Sequence, residues 1–102
     1  MSDVKSYDNV ELTLLNQNLV NICDEMAVSM MRTAYSPIFS EGLDFSTFIL
    51  DANGDLVATA GLNPAMLGAS LYAASWVIAE VGAANFNEGD IWIYNDPYRG
   101  GS

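Results

Sequence analysis

Phe45-Ser46-Thr47-Phe48-Ile49-Leu50, Asp51-Ala52-Asn53-Gly54-Asp55 and Leu56-Val57-Ala58-Thr59-Ala60 follow one another without interruption in a chain of 102 residues. The first and third runs are rich in aromatic and β-branched residues. The middle run carries Asn-Gly, the dipeptide that tolerates the positive φ angles of a tight turn. Together they predict a β-hairpin with strands Phe45–Leu50 and Leu56–Ala60. The acidic turn lacks the other ligand positions and the terminal Glu of a helix-flanked calcium loop, so it reads as a turn and not as a cation site.

On the N-terminal side, apolar residues recur at Leu12, Leu15, Leu19, Ile22, Met26 and Met30. Steps of three and four define one face of an α-helix. Asp8 is placed to cap it, with Glu11 three residues on. The helix is expected to end near Ala34, because Pro37 disfavours helical backbone at the residue before it. On the other side, Gly61 to Pro64 is a break, and Pro64 is suited to a first helical turn. Met66 to about Val81 is apolar on nearly every side, the pattern of a helix buried within a larger body. Asn87-Glu88-Gly89-Asp90 predicts a turn, and Ile91-Trp92-Ile93-Tyr94 a third strand. The fold class expected is therefore α+β: a long N-terminal helix, a hairpin, a second buried helix and a third strand joining one mixed or antiparallel sheet.

Charge narrows the function. Thirteen acidic residues face three basic ones, Lys5, Arg32 and Arg99, for a formal net charge of −10. Such a chain is not built for nucleic acid or an anionic membrane, which need clustered cations. No histidine is present and Cys23 is the single cysteine. That removes the usual general base near neutral pH, any internal disulfide and a zinc cluster. Cys23 lies within the helical apolar pattern and is expected to be a buried thiol. The N-terminus lacks the basic and apolar regions of a leader, and the apolar run Ala65–Gly82 contains Ser70, Ser75 and Glu80, so the cytoplasm is the expected compartment.

Three sets of residues are chemically suggestive. Asp44 stands at the mouth of the first predicted strand, where a carboxylate can bind a metal or position water. Asn95 and Asp96 end the third predicted strand, and Gly100-Gly101 permits close approach of backbone to a ligand or to another segment. Arg32 can pair with a carboxylate such as Asp44, or with an anionic ligand.

Arg32-Thr33-Ala34-Tyr35-Ser36-Pro37, Glu41-Gly42-Leu43-Asp44-Phe45-Ser46 and Asn95-Asp96-Pro97-Tyr98-Arg99-Gly100-Gly101, with the hairpin and the Leu67-Gly68 step between them, resemble the hydantoinase B/oxoprolinase family. The likeness covers nearly the whole chain, and its last run is the most specific part. It implies a B-type subunit of an ATP-dependent cyclic-amide hydrolase, of the hydantoin or 5-oxoproline type, or of a related acetone or acetophenone carboxylase. Because such subunits are several hundred residues long, residues 1–102 would form a single N-terminal segment, inactive alone. The resemblance further implies a divalent metal (Zn, Mn or similar) with Asp44 and Asp96 among its ligands and the remainder beyond Ser102. Asn95, Tyr98 and Arg99 would contact substrate or an adjoining subunit, and Arg32, Gly100 and Gly101 would be structural. ATP would be used by a hydantoinase A-type partner, and the rest of the subunit or a homo-oligomer would cover the apolar surface. Met66 stands where the family's pattern usually has a His before the Leu-Gly step, and a thioether is a poor ligand for a hard metal. The alternative is a non-catalytic structural or interaction module that keeps the family scaffold.

Overall fold

Asp8 starts the first helix as its sequence position predicts. Its carboxylate accepts the Glu11 N–H at 2.8 Å, satisfying one of the donors left open at a helix start. The computed structural model describes residues 6–60 and 64–100, the side chains of residues 64–66 excepted. Helix α1 spans Asn9–Thr33 and stops where Ala34 turns to extended backbone three residues ahead of Pro37. A second, short helix, α2 (Pro37–Ser40), follows at once. Ser36 caps it by accepting the Ile38 N–H, and Pro37 occupies the first helical position, where its missing donor costs nothing.

The hairpin is present and antiparallel. Strand β1 (Phe48–Leu50) pairs with β2 (Leu56–Thr59) in the register Phe48↔Thr59, Ile49↔Ala58 and Leu50↔Leu56, with an irregularity between Ile49 and Leu50. Val57 is the extra residue that this register leaves unmatched. The turn closes as its composition requires. Gly54 takes φ +87°, and the Asp51 carboxylate accepts the N–H groups of Asn53 and Asp55.

Helix α1 lies against both strands. The side chains it buries are Cys23 and Ala27, which with Phe45 and Ala58 form the apolar core. Thr47 clasps the layers together. Its hydroxyl donates to the Cys23 carbonyl at 2.8 Å, and its own carbonyl accepts from the Thr59 hydroxyl and the Ala60 N–H. The stripe of larger residues expected to face the core is displaced from it: Leu12, Leu15, Ile22, Met26 and Met30 all remain substantially exposed. Small residues sit under the hairpin because two helix-packed strands approach the helix axis closely, and a two-stranded ribbon is too narrow to cover the whole stripe.

Helix α3 (Pro64–Val81) forms as predicted, and the hairpin turn touches it, since a Cβ added at Gly54 would meet Ile78 Cδ1 at 3.2 Å. Its expected burial is not supplied within the chain: from Leu67 to Gly100 no described residue is fully buried. A third strand at Ile91–Tyr94 is not formed. Among the described residues the sheet has two strands, and the segment makes no ladder with either of them. It follows a turn at Asn87–Asp90, in which Asn87 and Asp90 bond each other. The fold is α+β. Among the described residues, no helix is long and apolar enough to cross a membrane.

Candidate functional site

Two loops carry the residues singled out from the sequence, and the structure builds them in different halves of the molecule. The first follows α2. Leu43 adopts φ 53°, a left-handed conformation that a branched side chain rarely takes. That twist lets the Asp44 N–H reach back to the Ile38 carbonyl at 3.1 Å. Gly42 sits inside the same turn, where an added Cβ would lie 2.8 Å from the Ile38 oxygen. The run Glu41-Gly42-Leu43-Asp44 is thus a tight corner that delivers Phe45 into the core and leaves Asp44 exposed on its rim. Ser46, two residues on, has a buried Oγ with no hydrogen-bond partner among the described residues. Arg32 is exposed in the last turn of α1, where a positive charge suits the helix dipole.

The second loop runs from Asn95 to Gly100. Asp96 caps a 3-10 turn at Pro97–Arg99. One carboxylate oxygen accepts the Tyr98 N–H at 3.0 Å, and the other lies 3.8 Å from Arg99 Nε. Arg99 also reaches across to α3, with Nη1 3.1 Å from the Glu80 carboxylate. The Tyr94 hydroxyl donates to the Arg99 carbonyl. Gly100, at φ +86°, lies flat on the Trp76 indole. A Cβ there would clash with Cδ1, so only glycine fits. Burial, then the charges of Asp96 and Glu80, push the Tyr94 phenol above its usual range, and Arg99 opposes them. Tyr98 projects into solvent and Asn95 is exposed. Gly101 lies outside the described residues, as does the Met66 side chain.

Glu80 and Trp76 hold this loop to α3, and neither stands out in the sequence as a site residue. A lone acid on an otherwise apolar helix was the available signal for Glu80.

Among the described residues no three His, Cys, Asp or Glu side chains gather in a way that could hold a metal ion. Asp96 has both oxygens committed to its own turn and to Arg99. The described residues therefore do not form a metal shell by themselves.

Comparison with known proteins gives this geometry a context. Residues 8–102 match the family described as Hydantoinase B/oxoprolinase. The chain is 37% identical to 5-oxoprolinase 1 of Arabidopsis thaliana over 99% of its own length and 8% of that protein's. It is 30% identical to a 5-oxoprolinase of Dictyostelium discoideum, over 93% of the chain and 7% of that protein. A putative D-/L-hydantoinase subunit of a Pseudomonas species is 26% identical over 99% of the chain and 18% of its own length. The chain thus spans less than a fifth of the curated relatives it matches. No solved structure matches it.

Proposed function

Because the chain belongs to the hydantoinase B/oxoprolinase family, we propose that it is one segment of a subunit that opens a cyclic amide, of the 5-oxoproline or hydantoin type, in a complex that consumes ATP. The observation that carries this reading is the 37% identity, along 99% of the chain, to a protein named for 5-oxoproline. A lactam carbonyl is a weak electrophile. Phosphorylating its oxygen, the task assigned to a hydantoinase A-type partner, makes the carbon open to water. Water then adds and the ring C–N bond breaks, with the nitrogen taking a proton. A second water releases phosphate from the resulting acyl phosphate, leaving the ring-opened acid.

Within that scheme Asp44 is the side chain proposed to lend a carboxylate to a divalent-metal shell completed by polypeptide outside this sequence. Asn95, Tyr98 and Arg99 sit on the loop proposed to face substrate or a neighbouring subunit. The test is turnover by the intact subunit together with its ATP-using partner. ADP release that depends on 5-oxoproline or hydantoin is expected. ADP release only with a ketone and bicarbonate would move the assignment to a carboxylase. Metal content unchanged by Asp44→Ala would remove Asp44 from the shell.

A second reading, a non-catalytic scaffold segment, rests on the commitment of Asp96 to its own turn and to Arg99, which leaves Asp44 as the one carboxylate proposed for a shell. It predicts that Asp44→Ala leaves turnover of the whole complex intact, whereas the enzymatic reading predicts its loss.

A further inference from the structure

Arg99 is tied down at four points. Its N–H donates to the Asp96 carbonyl, and its carbonyl accepts from the Tyr94 hydroxyl. Its Nη1 lies 3.1 Å from the Glu80 carboxylate on α3, and its Nε lies 3.8 Å from the Asp96 carboxylate. Gly100 continues the attachment by lying on the Trp76 indole. Trp76 and Glu80 stand four positions apart on α3, so one face of that helix offers both. Tyr98 is the counterpart. Its N–H is spent on Asp96 Oδ1, while its side chain is 95% exposed.

An arginine that receives an anion needs an open fork and a positive setting. Neither condition holds at Arg99. Its Nη1 faces Glu80 and its Nε faces Asp96, so two carboxylates surround one guanidinium and the cluster is negative on balance. The chain around it is acidic as well, at −10 overall. A carboxylate such as that of 5-oxoproline would be repelled from this spot. Nor is the cluster a source of stability. The Arg99 and Glu80 side chains are 58% and 46% exposed, and ion pairs open to water add little. What the contacts supply is geometry: they join a loop to a helix nineteen residues back in the chain and fix the backbone on both sides of Tyr98.

We infer that Arg99 is a positioning residue, which through Glu80 latches the loop Asn95–Gly100 onto α3 and so sets where Tyr98 stands, and that it does not itself bind an anionic substrate. All of these contacts lie within the chain, whatever covers this surface in the whole protein. The role rests on the reading of this loop as facing substrate.

The experiment uses the intact subunit with its ATP-using partner, 5-oxoproline as substrate, and the variants Arg99→Ala, Glu80→Ala and the two combined. Each single substitution is expected to lower kcat on the order of tenfold with KM little changed, because a loosened loop misplaces a group in the reacting complex. The combined variant should be no slower than Arg99→Ala, since both changes open the same latch. Arg99→Lys, which still reaches Glu80, should recover most of the loss. A rise in KM of about tenfold or more in Arg99→Ala, with Glu80→Ala unchanged, overturns the inference, because Arg99 would then be holding the substrate carboxylate. So do losses that multiply in the combined variant. A second readout needs no turnover. Trifluoromethylphenylalanine installed in place of Tyr98 gives a fluorine resonance in the same intact subunit. That resonance is expected to shift or broaden in Arg99→Ala and in Glu80→Ala, and to return in Arg99→Lys. An unchanged resonance in both alanine variants overturns the latch. Absence of turnover in the unsubstituted complex would count against the assigned reaction alone, and the fluorine resonance would still decide the latch.

Discussion

The two halves of the molecule solve the burial problem differently. From α1 through the hairpin, small and aromatic side chains interlock. Cys23, Ala27, Phe45 and Ala58 are buried, and Thr47 bridges helix and strands through its hydroxyl and carbonyl. From α3 onward the sequence is more apolar, yet no described residue is fully buried. What holds the second half is polar and peripheral: Arg99 with Glu80, Asp96 capping its turn, and glycine lying on an indole. Apolar composition therefore does not locate the core. Contact does, and the second half finds little of it within this chain. The overall dimensions agree, with a radius of gyration of 15.5 Å against about 13 Å for a compact domain of this length.

The largest expected contrast is between one aromatic side chain from each half. Phe45→Ala removes a buried ring and should lower stability by about 3 kcal/mol, at the lower end of the usual range because the core is small. Trp76→Ala, in the isolated chain, should lower it by about 1 kcal/mol, since the indole is already partly exposed. Urea unfolding of the two variants measures the difference, and equal losses would dissolve the distinction between the halves. A smaller contrast concerns their polar ties. Thr47→Val keeps the shape and deletes the hydroxyl bridging to Cys23, for a loss of about 1 kcal/mol. Glu80→Gln breaks an ion pair whose two side chains are both about half exposed, and should shift stability by no more than about 0.5 kcal/mol, less still in high salt.

Alkaline titration reaches both halves. Burial, then the neighbouring Asp24 carboxylate, push the Cys23 thiol upward, and the Tyr94 phenol is raised as well. A folded-state pKa above the unfolded one means that the native state holds its proton longer. The contribution is complete below the ordinary thiol range and fades as pH climbs through the folded pKa. Thermal melts should accordingly fall from neutral pH into the thiol and phenol range, and Cys23→Ala should flatten the earlier part of that fall. The smallest loss of stability is expected at Ser46, whose buried Oγ lacks a described partner. Ser46→Ala should be neutral or stabilising by up to about 1 kcal/mol, and a clear destabilisation would mean that the hydroxyl has a partner after all.

How far the sequence disclosed this arrangement follows from the range of each interaction. The Asp8 cap, the span of α1, the Asn53-Gly54 turn and the helix from Pro64 rest on neighbours within a few residues, and all were legible. Helix α2 was equally local, announced by Ser36-Pro37, but Pro37 drew attention only as a terminator. The burial of Cys23 was legible and that of Ala27 was not, because the large apolar stripe outweighs an alanine in any periodicity count. Only the hairpin's close approach selects the small residues. The third strand failed for a related reason. Ile91–Tyr94 carries strand chemistry, but a strand is defined by its neighbour, and none is described for it. At the candidate site, the capping use of Asp96 was local and readable. The Arg99–Glu80 and Gly100–Trp76 contacts join residues about twenty positions apart and carry no pattern. The family likeness was legible in the runs around Asp44 and Asn95 because it depends on residue order and not on contact.

Hydrogen–deuterium exchange of the isolated chain tests the central claim most directly, because it reports both halves in one sample. The account predicts that amides around Cys23, Ala27 and Thr47 to Ala58 are the slowest to exchange, and that those of α3 from Leu71 to Val81 exchange markedly faster despite their helical hydrogen bonds. Uniform protection across both halves, lost in a single cooperative step, would show that α3 is held from within and would contradict it.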